Sequence, residues 1–180
     1  MALHKRGHLF LYPLAYTFAA LNKTRTMQGI QQWLDEYAVS HQNPTNKTIH
    51  WICVPLIFFS IVGFFYSIQF PVKLVGDMNL NVAIPMLIGV TIYYFTLSRT
   101  LWLGMFLFSL ICLAGCYAIQ SAGLPVWAVC IGIFVTAWIG QFYGHSVEGK
   151  KPSFLKDLQF LMIGPAWLMS FIYKRIGVAY

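Results

Sequence analysis

Residues 49–70 read IHWICVPLIFFSIVGFFYSIQF, a run of 22 positions without one charged side chain. About 20 apolar residues in a helix cross the hydrocarbon layer of a bilayer. The run therefore reads as a membrane-spanning helix, with a kink expected at Pro55, where a backbone donor is missing. Working outward, three more spans are expected at about 82–97, 101–119 and 126–145. A polar loop with Pro71, Lys73, Gly76, Asp77 and Asn79 separates the first two. Ser98-Arg99-Thr100 makes the next turn, and Ser121, Gly123 and Pro125 mark the one after. A fifth apolar run, 158–173, is short and interrupted by Gly164-Pro165. It suits a re-entrant hairpin, an interfacial helix or a kinked short span. The expected fold class is all-α, a multi-pass membrane helical bundle with four spanning helices and a short C-terminal re-entrant or interfacial hairpin.

Before the first span, Ile30, Trp33, Leu34 and Tyr37 recur at helical spacing, predicting an amphipathic surface helix over 29–39. Asn43-Pro44 ends that region, and Thr45 or Asn46 is expected to cap the next helix. Residues 1–28 form an N-terminal extension with three readings. His4, Lys5 and Arg6 before the apolar 9–21 stretch resemble a signal peptide. The stretch also suits an interfacial helix, or a segment upstream of a natural start at Met27. His4 and His8 have helical metal-ligand spacing but no partner constellation. Residues 29–180 are expected to form a single membrane-embedded domain.

Composition agrees. Hydrophobic residues make up 58% of the 180 and charged residues 9%, against about 25% charged in soluble domains. Mean hydropathy is +0.65. The net charge of +7 does not argue for nucleic acid, because the basic residues lie between apolar runs, where membrane topology and anionic lipid account for them. Cys53, Cys112, Cys116 and Cys130 all lie in apolar runs without a CxxC pair, so buried free thiols are expected.

Alternating spans place His41 and His50, before the first, on the same side as His145, at the end of the fourth. Arg99, Lys150, Lys151 and Lys156 fall on that side too. With Lys5, Arg6, Lys23, Arg25 and Lys47 it carries nine of the twelve basic residues, provided the N-terminal segment does not cross. The positive-inside rule makes it cytoplasmic. Three imidazoles at one place are a donor set for iron, zinc, copper or nickel. Asn43 and Asn46 stand between two of them, to orient the rings or bind substrate. Trp138, Gln141, His145 and Glu148 share one helix face, and Glu148 can ligate a metal or accept from His145. An interfacial cap and an aromatic belt explain the same residues without a metal. Gly132, Thr136, Gly140 and Gly144 form a small-residue stripe, expected to press the fourth span on the first. Lys150-Lys151 suits either membrane topology or a clamp for the carboxylate of an amphiphilic acid. Serine-hydrolase, P-loop and dinucleotide motifs are absent.

HQNPTNKTIHWICVP at 41–55 and WIGQFYGHSVEGKKP at 138–152, with Gly164-Pro165, resemble the 2-hydroxy fatty acid dioxygenase family of small membrane proteins over residues 28–175. The resemblance implies an Fe(II)-dependent enzyme that uses O2 to shorten a 2-hydroxy fatty acid by one carbon, releasing C1 as CO2. It makes His41, His50 and His145 the catalytic iron ligands. Asn43, Asn46, Gln141, Glu148 and Lys151 match further motif positions; Lys151, Gln141, Asn43 and Asn46 are read as substrate-binding, and Glu148 and Gln42 as supporting residues or further ligands. The fungal pattern has two adjacent histidines before Asn-Pro, whereas here the second is Gln42, which leaves the ligand count open. Oligomeric state is not legible. A different metal-dependent lipid hydroxylase, or a non-enzymatic membrane scaffold or transporter, remain the rival readings. A transporter would more often carry ionisable groups at mid-membrane, and these spans carry almost none.

Overall fold

A computed structural model describes residues 29–149 and 160–180. Among them are six helices and one β-hairpin. In order these are α1 (Ile30–Ala38), α2 (Pro44–Tyr66), β1 (Gln69–Val75), β2 (Met78–Asn81), α3 (Ala83–Leu97), α4 (Leu101–Ser121), α5 (Val126–Glu148) and α6 (Ile163–Arg175). Helices α2, α4 and α5 are each long and apolar enough to cross a membrane, while α3 is apolar but only 15 residues long. The chain is thus mostly helical, and three of the four expected spans have the length for a crossing. The readings of residues 1–28, including His4 and His8, and the placement of Lys150, Lys151 and Lys156 lie outside the described residues.

Helix α2 begins at Pro44, five residues before the expected start. Asn43 is its N-cap, with the side-chain oxygen accepting from the Thr45 N–H at 2.9 Å. Pro44 at the first helical position gives up a donor that has no intrahelical partner there. The Asn-Pro pair is therefore a start signal, and Thr45 and Asn46 lie inside the helix. The helix continues through Pro55 to Tyr66.

The chain is not purely helical. Residues expected as a polar loop form an antiparallel pair, β1 with β2, with Lys73 opposite Asn79 and Val75 opposite Met78. Gly76-Asp77 is the two-residue connection, and Gly76 takes φ +54°, which glycine adopts without a side-chain clash.

The C-terminal run is one helix and not a hairpin. Gly164 and Pro165 occupy the first turn of α6, where a missing N–H is tolerated. Gly164 lies beside Tyr37 and Val54. At the other end, the Tyr173 hydroxyl donates to the Thr100 carbonyl at 3.1 Å and accepts from the Gly104 N–H at 3.0 Å. Both ends of α6 therefore rest against the end of the bundle that carries the start of α4. Trp167 on α6 packs with Leu34 and Tyr37 of α1, which docks the amphipathic helix on this layer.

Helices α2 and α5 form the main seam of the bundle. A Cβ on Gly140 would sit 2.7 Å from Cys53 Sγ, and one on Gly144 would collide with Asn46 Oδ1. These two glycines hold the seam close, as the stripe predicted. Gly132 has no neighbour within 4 Å and Thr136 is exposed, so the other half of the stripe faces away. The cause is helical drift: residues 12 apart differ by about 120° around the axis. Further down, Gly63 of α2 receives Cys130, whose Sγ a Cβ would overlap. All four cysteines are buried and free. Gly63→Ala is expected to destabilise the protein by about 1–3 kcal/mol through overpacking. Adding Cys130→Gly is expected to restore most of the loss, read as thermal unfolding in detergent. Equal loss in single and double variants would show that this contact is not a determinant of the seam.

Candidate metal centre

The end of α1, the second turn of α2 and the last turn of α5 each deliver one histidine to a common point. His41, His50 and His145 are 3%, 1% and 6% exposed. One ligand nitrogen from each lies within 4.8 Å of the other two. Ring centroids are 4.2 Å apart for His41 and His50, 5.1 Å for His50 and His145, and 5.6 Å for His41 and His145.

Backbone bonds orient two of the rings. His41 Nδ1 lies 2.7 Å from the Tyr37 carbonyl, and His50 Nδ1 lies 2.9 Å from the Asn46 carbonyl. A carbonyl only accepts, so each Nδ1 carries hydrogen. The neutral ring then keeps its lone pair on Nε2. Imidazoles that ligate metals commonly have the other nitrogen donating in this way. Tyr37 also stacks on His41, with centroids 4.1 Å apart and planes 11° from parallel, and Trp167 lies 5.5 Å from it. The donor set fits a divalent transition metal: three buried, convergent imidazoles, two with backbone-fixed tautomers.

The rings border a cavity of about 30 Å³, room for on the order of two waters. Among the described residues, Tyr37, Val54, Ile57, Trp138, Gln141, Phe160, Leu161 and Gly164 also line it. Gln141 is the uncharged polar side chain there, one turn before His145 on α5 and facing His50. It is positioned to donate to an oxygen held beside the histidines.

The remaining candidates lie around this core. The Glu148 carboxylate accepts from the backbone N–H of Gln42 and Asn43, each at 2.9 Å, and from Asn46 Nδ2 at 3.0 Å. Both its oxygens are thereby engaged, and they tie the end of α5 to the loop carrying His41. Gly149, at φ +71°, ends the helix directly after it. Asn46 is fully buried between Glu148 and the seam, and Asn43 is occupied as the cap of α2. Gln42 is exposed, and its side chain donates back to the Ala38 carbonyl, away from the three rings. Lys151 lies outside the described residues. Tyr37 and Trp167, which brace His41, and Phe160 and Leu161, which wall the cavity, were not read as site residues in the sequence. The one available signal was that Tyr37 precedes His41 by a helical turn.

Known proteins bear on this geometry. The family model described as 2-hydroxy-palmitic acid dioxygenase Mpo1-like matches residues 27–176. The chain is similar to a curated Saccharomyces cerevisiae protein, 2-hydroxy-palmitic acid dioxygenase MPO1, at 30% identity over 148 residues, which cover 81% of this chain and 80% of the yeast protein. No solved structure matches.

Proposed function

Because this chain belongs to the 2-hydroxy-palmitic acid dioxygenase Mpo1-like family, we propose that it is an Fe(II)-dependent dioxygenase that shortens 2-hydroxy fatty acids by one carbon at the cytoplasmic surface of a membrane. The observation that carries the proposal is the buried triad His41, His50 and His145 beside a cavity with apolar walls. In this reading the C1–C2 bond of the acid breaks, C1 leaves as CO2 and C2 becomes the new carboxyl carbon. One O2 is consumed and one water formed. Bound iron supplies the O2 activation and redox capacity that side chains lack.

The chain's own residues do the rest. His41, His50 and His145 hold the ion, with the first two fixed by their backbone bonds. Gln141 donates to the carboxylate or hydroxyl oxygen of the acid. Lys151 follows three residues after Glu148 in sequence and balances the carboxylate charge. Asn43 and Asn46 serve through the frame, as a cap and as a partner of Glu148. Val54, Ile57 and Trp138 keep water from the reacting carbon. The cytoplasmic orientation rests on the distribution of basic residues.

Purified, iron-loaded protein given 2-hydroxypalmitate under O2 is expected to yield the acid one carbon shorter, with His145→Ala at background. A product that keeps every carbon would favour a hydroxylase. Wild type and His145→Ala that cannot be told apart would overturn the proposal.

A further inference from the structure

The histidine cavity is closed unequally on its two sides. Toward the polar end of α5 the closure is hydrogen-bonded: Glu148 holds the Gln42 and Asn43 backbone and the Asn46 side chain. These bonds sit directly over the rings, since Asn46 is one turn before His50 and Glu148 three residues after His145. In the other direction the closure by the described residues is apolar packing. Eight of the eleven described lining residues are buried, and the exceptions are Trp138, Phe160 and Leu161. These three are half-buried, with one side on the cavity and one on the exterior. Trp138 lies seven residues before His145, about 10 Å along the helix, within the apolar length of α5. Among the described residues it has Phe134 and Phe142 as ring neighbours, at 6.0 and 5.5 Å, and Phe142 is exposed. Leu161 packs in the same cluster, beside Ile57 and Ile61.

We propose that Trp138, Phe160 and Leu161 form a lateral port through which the hydrocarbon tail of the acid enters and in which it stays, so that the head reaches the histidines from the bilayer and not from water. The inference rests on the proposed substrate class. Volume supports it: about 30 Å³ holds a small polar head or a pair of waters, not a long alkyl chain. The tail must therefore lie outside the cavity while the head is inside. The port is continuous with the cavity and lies in the apolar layer, where a tail has no cost of exposure to water. Among the described residues, opening it needs side-chain rotation at three apolar positions, whereas opening the opposite end breaks three hydrogen bonds.

The test uses the full-length, iron-loaded protein in lipid nanodiscs with a long-chain 2-hydroxy acid carrying a mid-chain diazirine. Illumination is expected to place adducts on Trp138, Phe160 or Leu161, competed away by excess 2-hydroxypalmitate. Leu161→Trp is expected to lower both competed labelling and turnover about tenfold by filling the port, with iron content unchanged. Adducts confined elsewhere, for example to the α4–α6 groove at Leu103 and Met169, or adducts that are absent or uncompeted, would overturn the port. The two readings fail separately. Port adducts without carbon loss would leave the port standing and sink the dioxygenase reaction. Carbon loss without port adducts would do the reverse.

Discussion

His50→Ala is expected to abolish stoichiometric metal binding and to bring turnover to background in a protein that still folds. His50 is the central ligand candidate, with the shortest ring separations to both partners and 1% exposure. Losing residues that merely orient a ligand costs about 10–100-fold in metal affinity, so losing a ligand is expected to cost more. Iron content by elemental analysis and anaerobic Fe(II) titration are the readouts. Truncating a buried ring also costs about 2–4 kcal/mol by the logic of core cavities, so circular dichroism must show the helices retained. Stoichiometric iron in folded His50→Ala would remove the triad as the metal centre. Gln42→His in the same assay is expected to leave metal stoichiometry unchanged, because position 42 points away from the rings.

Glu148→Ala is expected to weaken iron binding by about 10–100-fold through the His41 loop that the carboxylate holds. Its removal leaves the Gln42 and Asn43 N–H groups and Asn46 Nδ2 without their acceptor. An unmet, partly buried polar group costs about 1–3 kcal/mol, and here the result is a loosened His41 loop. Glu148→Gln is expected to be intermediate, since its amide presents an NH2 to donors that need an oxygen. A purely global role would lower thermal stability in both variants while leaving iron affinity intact. That outcome would show that the carboxylate does not position His41.

Much of this was legible from periodicity and counting. Charge-free runs located the helices, and alternation of spans put His41, His50 and His145 at one end before any distance was known. Local chemistry was misread where one signal serves two purposes. Asn43-Pro44 reads as a break but is the start of α2, while α1 ends earlier, at Ala38. Gly164-Pro165 looked like a break but opens α6. The segment around Gly76-Asp77 read as a polar loop, because its polar residues obscured the paired strands. The rest of the cavity wall was out of reach because Tyr37, Phe160 and Leu161 join Trp138 only through the packing of α1 and the residues before α6 on the bundle, which no spacing rule encodes. The placement of Gln42 also required coordinates, since a neighbour in sequence need not share a neighbour's direction.

The shortness of α3 has a consequence for the surrounding lipid. Fifteen residues make a rod of about 22 Å, against roughly 30 Å of hydrocarbon in an average bilayer, while α2 and α5, at 23 residues each, exceed that thickness. One flank of the bundle thus matches a thicker membrane than the other. At its far end α3 is extended by the β-hairpin, and at its near end Arg99 folds over Phe95, 4.5 Å from the ring centre, with its charge directed to the surface. Where a helix this short crosses a bilayer, lipid thins to meet its ends, at a cost of fractions of a kcal/mol per ångström of mismatch. The apolar helices of the bundle thus differ in reach by about 12 Å, and His50 and His145 lie on the two longest, α2 and α5.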